Sequence, residues 1–150
     1  MFDGMRTLAI DLGAKRVGLA MSDEGAKFAT PLEVVTISSA EQAMKHVSKV
    51  IQDERVKRIV VGVPLNMDGS MGAGAKAAIA WGKDLATTAG VQAVFVDERL
   101  SSFAAEQKLA DRKRGGEKLT RGRKKERLDA MAAAGFLQEF LDGKLTALAV

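Results

Sequence analysis

The sequence predicts an α/β fold, a five-stranded mixed sheet with three antiparallel strands followed by two parallel ones, flanked by helices. Short apolar runs rich in β-branched residues occur five times along the chain. Stretches of helical length follow the third, fourth and fifth of these runs. Three hairpin-linked strands and two helical crossovers produce such a sheet, because a crossover returns the chain in the same direction.

The first three strands are predicted at residues 6–11, 16–22 and 32–37. A short segment containing Gly13 separates the first two runs, which is typical of a hairpin. Pro31 opens the third run, which is rich in β-branched residues. The three strands are therefore expected to pair as an antiparallel trio.

Helices and parallel strands are predicted to alternate after the third strand. Ser39 and Gln42 have the spacing of a capping box, which predicts the start of the first helix. The continuous apolar run at 58–63 predicts a strand covered on both faces. A turn at Asp68–Gly69 is expected to follow it.

The second helix is predicted from Ser70 to about Gly90, because glycine suits a helix C-terminus. A strand follows at 91–96, another helix is expected to begin near residues 101–102, and the last helix is expected at about 125–141. This order of elements is characteristic of ribonuclease H-like domains.

Composition limits the classes of protein to consider. The chain has 150 residues and 47% hydrophobic content, which suits a single domain spanning 1–150. No apolar run approaches the roughly 18 residues that span a bilayer, and the N-terminus lacks a signal-peptide pattern, so we expect a cytoplasmic protein with no membrane partner. Zero cysteines and one histidine exclude disulfides, thiolate zinc sites and a histidine-rich metal centre.

Positive charge is concentrated at residues 108–127. This segment contains ten Lys or Arg and three Asp or Glu, a net charge of +7, so the rest of the +4 chain carries −3. Such a patch predicts a polyanionic partner, although a solvated loop is the alternative, and residues 112–124 are expected to be flexible. The candidate nucleic-acid-binding residues are Arg16, Lys113, Arg114, Lys118, Arg121, Arg123, Lys124 and Lys125.

Acidic residues occur at two strand ends and in the last helix. Asp11 ends the first strand, where burying an ionised carboxylate is costly unless it is paired or metal-bound. Asp97 and Glu98 follow the last strand, and Asp129 shares a helical stripe with Phe136. Turn formation at Asp11 and interaction with the helix dipole at Asp129 are the alternatives. If these acids converge, their oxygens suit two Mg²⁺ or Mn²⁺ ions.

Three motifs resemble one known family. They are IDLGAKRVGLAMSD at 10–23, VVGVPLNMDGS at 60–70 and DERLSS at 97–102. Together with DAMAAA in the last predicted helix, they resemble the YqgF/RuvX family over nearly the whole chain. Members of that family are called Holliday junction resolvase-like proteins or pre-16S ribosomal RNA nucleases.

The resemblance implies a metal-dependent endonuclease whose catalytic and metal-binding acids correspond to Asp11, Glu98 and Asp129. Spacing alone leaves the choice between Asp97 and Glu98 open. The expected mechanism has Asp11 bridging two metal ions while water attacks phosphorus in line. The expected substrate is precursor 16S ribosomal RNA, processed at its 5′ end, with Holliday junctions as the alternative. The partners are thus structured RNA or branched DNA, and the protein is a monomer or a homodimer.

Two other classes of function are compatible with the sequence. An actin-like or sugar-kinase-like ATP-binding domain also opens with a D-x-G turn, but 150 residues supply only one of the two halves such a protein needs. A non-catalytic ribosome-assembly or nucleic-acid-binding factor could retain the acids as structural remnants. If the protein is such a factor, no cleavage is expected. If it is a nuclease, Asp11→Asn is expected to abolish cleavage.

Overall fold

A computed structural model describes residues 4–100 and 121–150, with side chains at 4–99 and 130–150. The elements are β1 Thr7–Leu12, β2 Arg16–Ser22, β3 Ala29–Thr36, α1 Ala40–Asp53, β4 Arg58–Val63, α2 Ala73–Ala89, β5 Gln92–Asp97, a short 3₁₀ turn Glu98–Leu100 and α3 Arg121–Leu141. The strands form one sheet in the order β3-β2-β1-β4-β5. None of the described helices is long and apolar enough to cross a membrane.

The mixed sheet confirms the predicted fold class. β2 pairs antiparallel with both β1 and β3, whereas β4 pairs parallel with both β1 and β5. β1 therefore lies at the centre of the sheet. Residues 7–10 of this strand are 0% exposed, because helices cover both faces.

Alternating strand residues contribute to two separate cores. On one face, Ile10, Val61 and Phe95 pack with α1 and α2. On the other face, Ala9, Val60, Val96 and the buried side of α3 form the second core. Side chains in a strand alternate between the two faces of the sheet. The face on which a residue near a strand end lies can therefore be counted from the core residues of the same strand.

The third strand and the second helix begin elsewhere than predicted. β3 begins at Ala29 and contains Pro31, because β3 is an edge strand and its pairing with β2 shifts register between Leu19 and Ala20. α2 begins at Ala73 rather than Ser70, because the Ser70 N–H and hydroxyl both bond to Asp68 in the preceding turn.

The predicted helix caps are largely confirmed. Ser39 Oγ accepts a hydrogen bond from the Gln42 N–H at 3.1 Å, while Gln42 Oε1 accepts from the Ser38 N–H instead of that of Ser39. Gly90 ends α2 in the left-handed conformation, with φ 69°. These caps fix the helices that cover the first core.

The last helix begins at Arg121, four residues before the predicted start. Residues 121–124, predicted to be part of a flexible segment, therefore lie in α3, where Gly122 does not interrupt the helix. Residues 112–120 and the helix predicted near 101–102 lie outside the described residues.

Candidate active site at the carboxyl edge of the sheet

The β1–β2 hairpin places Asp11 at the end of the central strand. Asp11 pairs with Gly18 of β2 and is half-buried. The Gly13 N–H donates to the Arg16 carbonyl at 2.9 Å, and a Cβ on Gly13 would lie only 2.9 Å from that oxygen. Glycine is therefore needed for the tight turn that follows Asp11.

Glu98, the first residue after β5, turns back over β4. A Cβ on Gly62 would lie 2.8 Å from Glu98 Oε1 and 3.0 Å from Phe136 Cε2. The missing side chain of Gly62 thus leaves space that the Glu98 carboxylate occupies, beside the ring of Phe136. Phe136 is 1% exposed, so this ring forms a fixed apolar wall next to the carboxylate.

Strand register places Asp11 beside Gly62, and the Glu98 side chain reaches the same glycine from the end of β5. Ile10 is paired with Val61 in the parallel β1–β4 ladder, and continuing this register puts Asp11 beside Gly62. Asp11 lies on the same face as Ala9, which is the face covered by α3. Asp11 and the Glu98 carboxylate therefore lie on the same face of the sheet, next to Gly62 of the intervening strand β4.

The neighbouring acid, Asp97, lies on the opposite face. Asp97 follows Phe95 by two residues, and Phe95 packs in the core beneath α1 and α2. The Asp97 side chain accepts hydrogen bonds from Arg99 Nε at 3.0 Å and Nη2 at 2.7 Å. The bonds from the Arg99 side chain lower the pKa of the Asp97 carboxyl, although burial opposes them. Of the two adjacent acids, only Glu98 shares the face of Asp11.

The direction of α3 places Asp129 toward the same edge. Phe136 lies over Gly62, and the Arg58 guanidinium carbon lies 5.1 Å from the centre of the Phe140 ring. From Phe136 to Phe140 the helix thus runs back toward the start of β4. Asp129, seven residues before Phe136, is displaced about 10.5 Å along the helix axis in the opposite direction. That displacement is toward the ends of β1 and β4, where Asp11 lies.

The side chain of Asp129 lies outside the described side chains. Among the side chains that are described, no group of three His, Cys, Asp or Glu residues is close enough to hold a metal ion. The structure therefore places Asp11 and Glu98 on the same face next to Gly62, whereas for Asp129 it describes the helix and not the side chain.

The predicted phosphate-binding residues differ in how far the structure describes them. Arg16 begins β2 two residues before Gly18, on the α3 face and therefore on the side of Asp11. Four others, Arg121, Arg123, Lys124 and Lys125, lie in the first two turns of α3, and their side chains are not among those described. The remaining candidates, Lys113, Arg114 and Lys118, lie outside the described residues.

Two residues of the site were not assigned from the sequence. Gly62 interrupts the run of β-branched residues in the buried strand β4, and an isolated glycine there indicates a close approach by another group. Arg99 also donates to the carbonyls of Asn66 and Met67, 33 and 32 positions earlier in the chain. No periodicity or spacing could have indicated that contact.

The sheet order β3-β2-β1-β4-β5, with three antiparallel strands followed by two parallel ones and helices on both faces, is that of a ribonuclease H-like fold. The chain belongs to the RuvX family, described as Holliday junction resolvase, whose model matches residues 5–143. The resemblance found in the sequence motifs is thereby confirmed.

Relatives agree with this assignment, and a solved structure shares the fold. A protein of Anaeromyxobacter sp. (strain Fw109-5) named "Putative pre-16S rRNA nuclease" is 43% identical over 140 residues, which cover 93% of this chain and 98% of the relative. A Bacillus subtilis protein of the same name is 39% identical over 142 residues, covering 92% and 98%. RuvC from Thermus thermophilus superposes with a TM-score of 0.59 over 96% of this chain and 100% of RuvC, at 21% identity. The likeness to RuvC shows a shared fold.

Proposed function

We propose that the protein is a metal-dependent endonuclease that hydrolyses phosphodiester bonds in structured nucleic acid, with precursor 16S ribosomal RNA as its substrate and 5′-end processing as its role. The observation that carries the proposal is the convergence of Asp11 and Glu98 beside Gly62 on one face of the sheet. The names of the relatives support the RNA substrate. Such a protein would act in the cytoplasm as a single domain of residues 1–150, either as a monomer or as a homodimer.

The donor set fits Mg²⁺ or Mn²⁺. Carboxylate oxygens are the preferred ligands of both ions, and the missing side chain of Gly62 leaves room for a carboxylate over the sheet. Asp11, Glu98 and Asp129 would hold two such ions. When bound, the metal ions would polarise a phosphoryl oxygen and lower the pKa of water, which supplies the nucleophile.

The protein's own residues prepare the site before any substrate binds. Glu98 and the buried ring of Phe136 both lie over Gly62, so a packed apolar neighbour would help to hold the carboxylate in one orientation. The tight turn at Gly13 fixes the end of β1 and hence the position of Asp11. Rigid placement on strand ends, rather than on a long loop, favours the reproducible ligand geometry that phosphoryl chemistry needs.

Substrate binding would rest on the phosphate backbone. Arg16 on the site face and the basic residues Lys113, Arg114, Lys118, Arg121, Arg123, Lys124 and Lys125 would neutralise phosphates on either side of the scissile bond. Only 5% of the residues are aromatic and none lies at 108–127, so stacking on bases contributes little. Recognition would therefore follow the shape of a folded RNA more than its sequence.

A second candidate is resolution of Holliday junctions. The family description favours it, and four-way DNA junctions also present closely spaced phosphates in bent duplexes. Cutting two strands in a coordinated way would require a dimer.

The test uses purified wild-type and Asp11→Asn protein with a precursor 16S RNA fragment and a synthetic four-way DNA junction. Each substrate is incubated with Mg²⁺, Mn²⁺ or chelator, and products are mapped at nucleotide resolution. We expect metal-dependent cuts in the RNA by wild type alone, leaving 5′-phosphate and 3′-hydroxyl ends. Cutting of the DNA junction alone would instead favour resolution of Holliday junctions as the function. Salt-sensitive binding of both substrates without any cut would favour a non-catalytic assembly factor instead.

A further inference from the structure

The geometry points to Arg99 as a positioning residue that fixes the carboxylate of Glu98 and couples it to the loop at residues 64–72. This inference rests on the proposed function, because it takes Glu98 to be a metal ligand. Arg99 itself touches neither substrate nor metal in the proposal.

Arg99 clamps the peptide segment that carries Glu98. Its Nε donates to Asp97 Oδ1 at 3.0 Å and its Nη2 to Asp97 Oδ2 at 2.7 Å, and the Arg99 backbone N–H also donates to Asp97 Oδ1 at 3.0 Å. Residues 97 and 99 are thereby joined by side chain and backbone on one face of the sheet. Glu98 lies between them and projects to the other face, so these hydrogen bonds restrict the backbone that carries it.

The remaining nitrogen of the guanidinium reaches a second segment. Arg99 Nη1 donates to the Asn66 carbonyl at 2.7 Å and to the Met67 carbonyl at 3.0 Å. These carbonyls belong to the loop between β4 and α2, which directly follows the strand of Gly62. Arg99 thus connects the segment that carries Glu98 to the loop that follows Gly62.

The loop that Arg99 holds is itself closed by hydrogen bonds. The Asn66 N–H donates to the Ser70 carbonyl at 2.9 Å, and the Gly69 N–H to the Asn66 carbonyl at 2.8 Å. Asp68 accepts from the Ser70 hydroxyl at 2.6 Å. A loop fixed in this way gives Arg99 a firm anchor rather than a mobile partner.

Burial makes the clamp costly to break. Asp97 is 6% exposed, and the Arg99 side chain is 33% exposed. Removing one partner of a buried ion pair leaves an uncompensated charge. Lysine cannot replace Arg99, because only a planar guanidinium can present separate edges to a carboxylate and to two carbonyls. Charge alone is therefore insufficient for this role.

The test compares Arg99→Gln and Arg99→Lys with wild type in the absence of substrate. Mn²⁺ affinity is measured by calorimetric titration, and amide hydrogen exchange is followed at residues 64–72. Both variants should bind Mn²⁺ about 10–100-fold more weakly, the usual effect of losing a residue that orients a metal ligand. The protected amides of Asn66 and Gly69 should exchange faster in both variants.

The matched control is Arg6→Gln. Arg6 is also ion-paired, with Glu54 at 3.6 Å. It lies just before the start of β1, at the end of the strand opposite Asp11. It should retain wild-type Mn²⁺ affinity and wild-type exchange at 64–72. Thermal melts check that each variant is folded, and Arg99→Lys keeps a positive charge beside Asp97 if Arg99→Gln fails to fold.

Glu98→Gln separates failure of this inference from failure of the proposed function. If Glu98→Gln loses Mn²⁺ affinity while folded Arg99→Lys keeps it, the positioning role is overturned and the proposed function stands. If Glu98→Gln binds Mn²⁺ as wild type does, both the ligand set and the role of Arg99 are overturned. Weakened binding in both variants, with faster exchange in the loop of Arg99→Lys, supports the inference.

Discussion

The carboxylate of Glu98 lies directly against Gly62, so closely that a methyl group on Gly62 would come within 2.8 Å of Oε1. This contact joins the end of β5 to β4, the strand beside β1. Since β1 carries Asp11 at the corresponding position, the absence of one side chain allows two acids from separate strands to converge. The proposed site therefore requires a residue without a side chain at position 62.

Gly62→Ala should weaken Mn²⁺ binding and destabilise the protein by about 1–3 kcal/mol, because its Cβ would overlap Glu98 and the buried ring of Phe136. Calorimetric titration and urea unfolding measure the two effects. Gly82→Ala is the matched control, since its Cβ would lie 2.6 Å from Phe95 Cε1 on the other face of the sheet. It should lower stability but leave Mn²⁺ affinity unchanged. Equal losses of Mn²⁺ affinity in both variants would mean that overpacking, and not the site, is responsible.

The ion pair of Asp97 predicts a stability that depends on acid pH. Hydrogen bonds from Arg99 hold the pKa of the Asp97 carboxyl below its usual value of 3.8 in the folded state. A lowered folded pKa contributes stability above the unfolded pKa, and that contribution is lost as the pH falls below 3.8 through the folded value. The free energy of unfolding of wild type should therefore approach that of Arg99→Gln as acid is added. Urea unfolding at a series of pH values measures the difference, and a constant difference would contradict the assignment.

Arg16→Gln should weaken nucleic-acid binding through the loss of one phosphate contact. The slope of log affinity against log salt concentration should decrease by about 1. Fluorescence anisotropy with labelled RNA in chelator measures binding without cleavage. Arg55 is an exposed arginine between α1 and β4, at the end of the sheet opposite the candidate site. Arg55→Gln should leave the slope unchanged. An unaltered slope for Arg16→Gln would remove this residue from the proposed interface.

The basic segment should contribute more of the salt dependence than Arg16 does. Replacing Lys113, Arg114 and Lys118 by glutamine should lower the slope by roughly 3 and weaken binding of all structured RNAs to a similar degree. The same anisotropy titration measures both effects. Loss of binding to only one sequence would instead indicate base recognition.

The sequence predicted the sheet well because its signals are local. Apolar runs gave all five strands, and the register that places Asp11 follows from the hairpin at Gly13. Boundaries were less predictable. Ser70 could equally cap a helix or close a turn, and the Asp68 side chain, which decides for the turn, is two residues away.

The positions of the candidate site residues in the fold could be predicted only in part. The family motifs indicated Glu98, but only the alternation of faces along β5 separates it from Asp97. The contacts of Arg99 with Asn66 and Met67 depend on how the β4–α2 loop folds back toward β5. Such a contact between distant segments leaves no periodic trace in a single sequence.

The most direct test of the central claim is a cleavage assay with three single variants, Asp11→Asn, Glu98→Gln and Asp129→Asn, on precursor 16S RNA in Mn²⁺. Asp84→Asn, an exposed acid of α2 on the other face of the sheet, is the control. We expect each of the three variants to lose at least about 100-fold in cleavage rate while still binding RNA, because each would remove a charged ligand of the proposed metal site. Asp84→Asn should cut at the wild-type rate. Wild-type cleavage by any folded member of the three would contradict the proposed site.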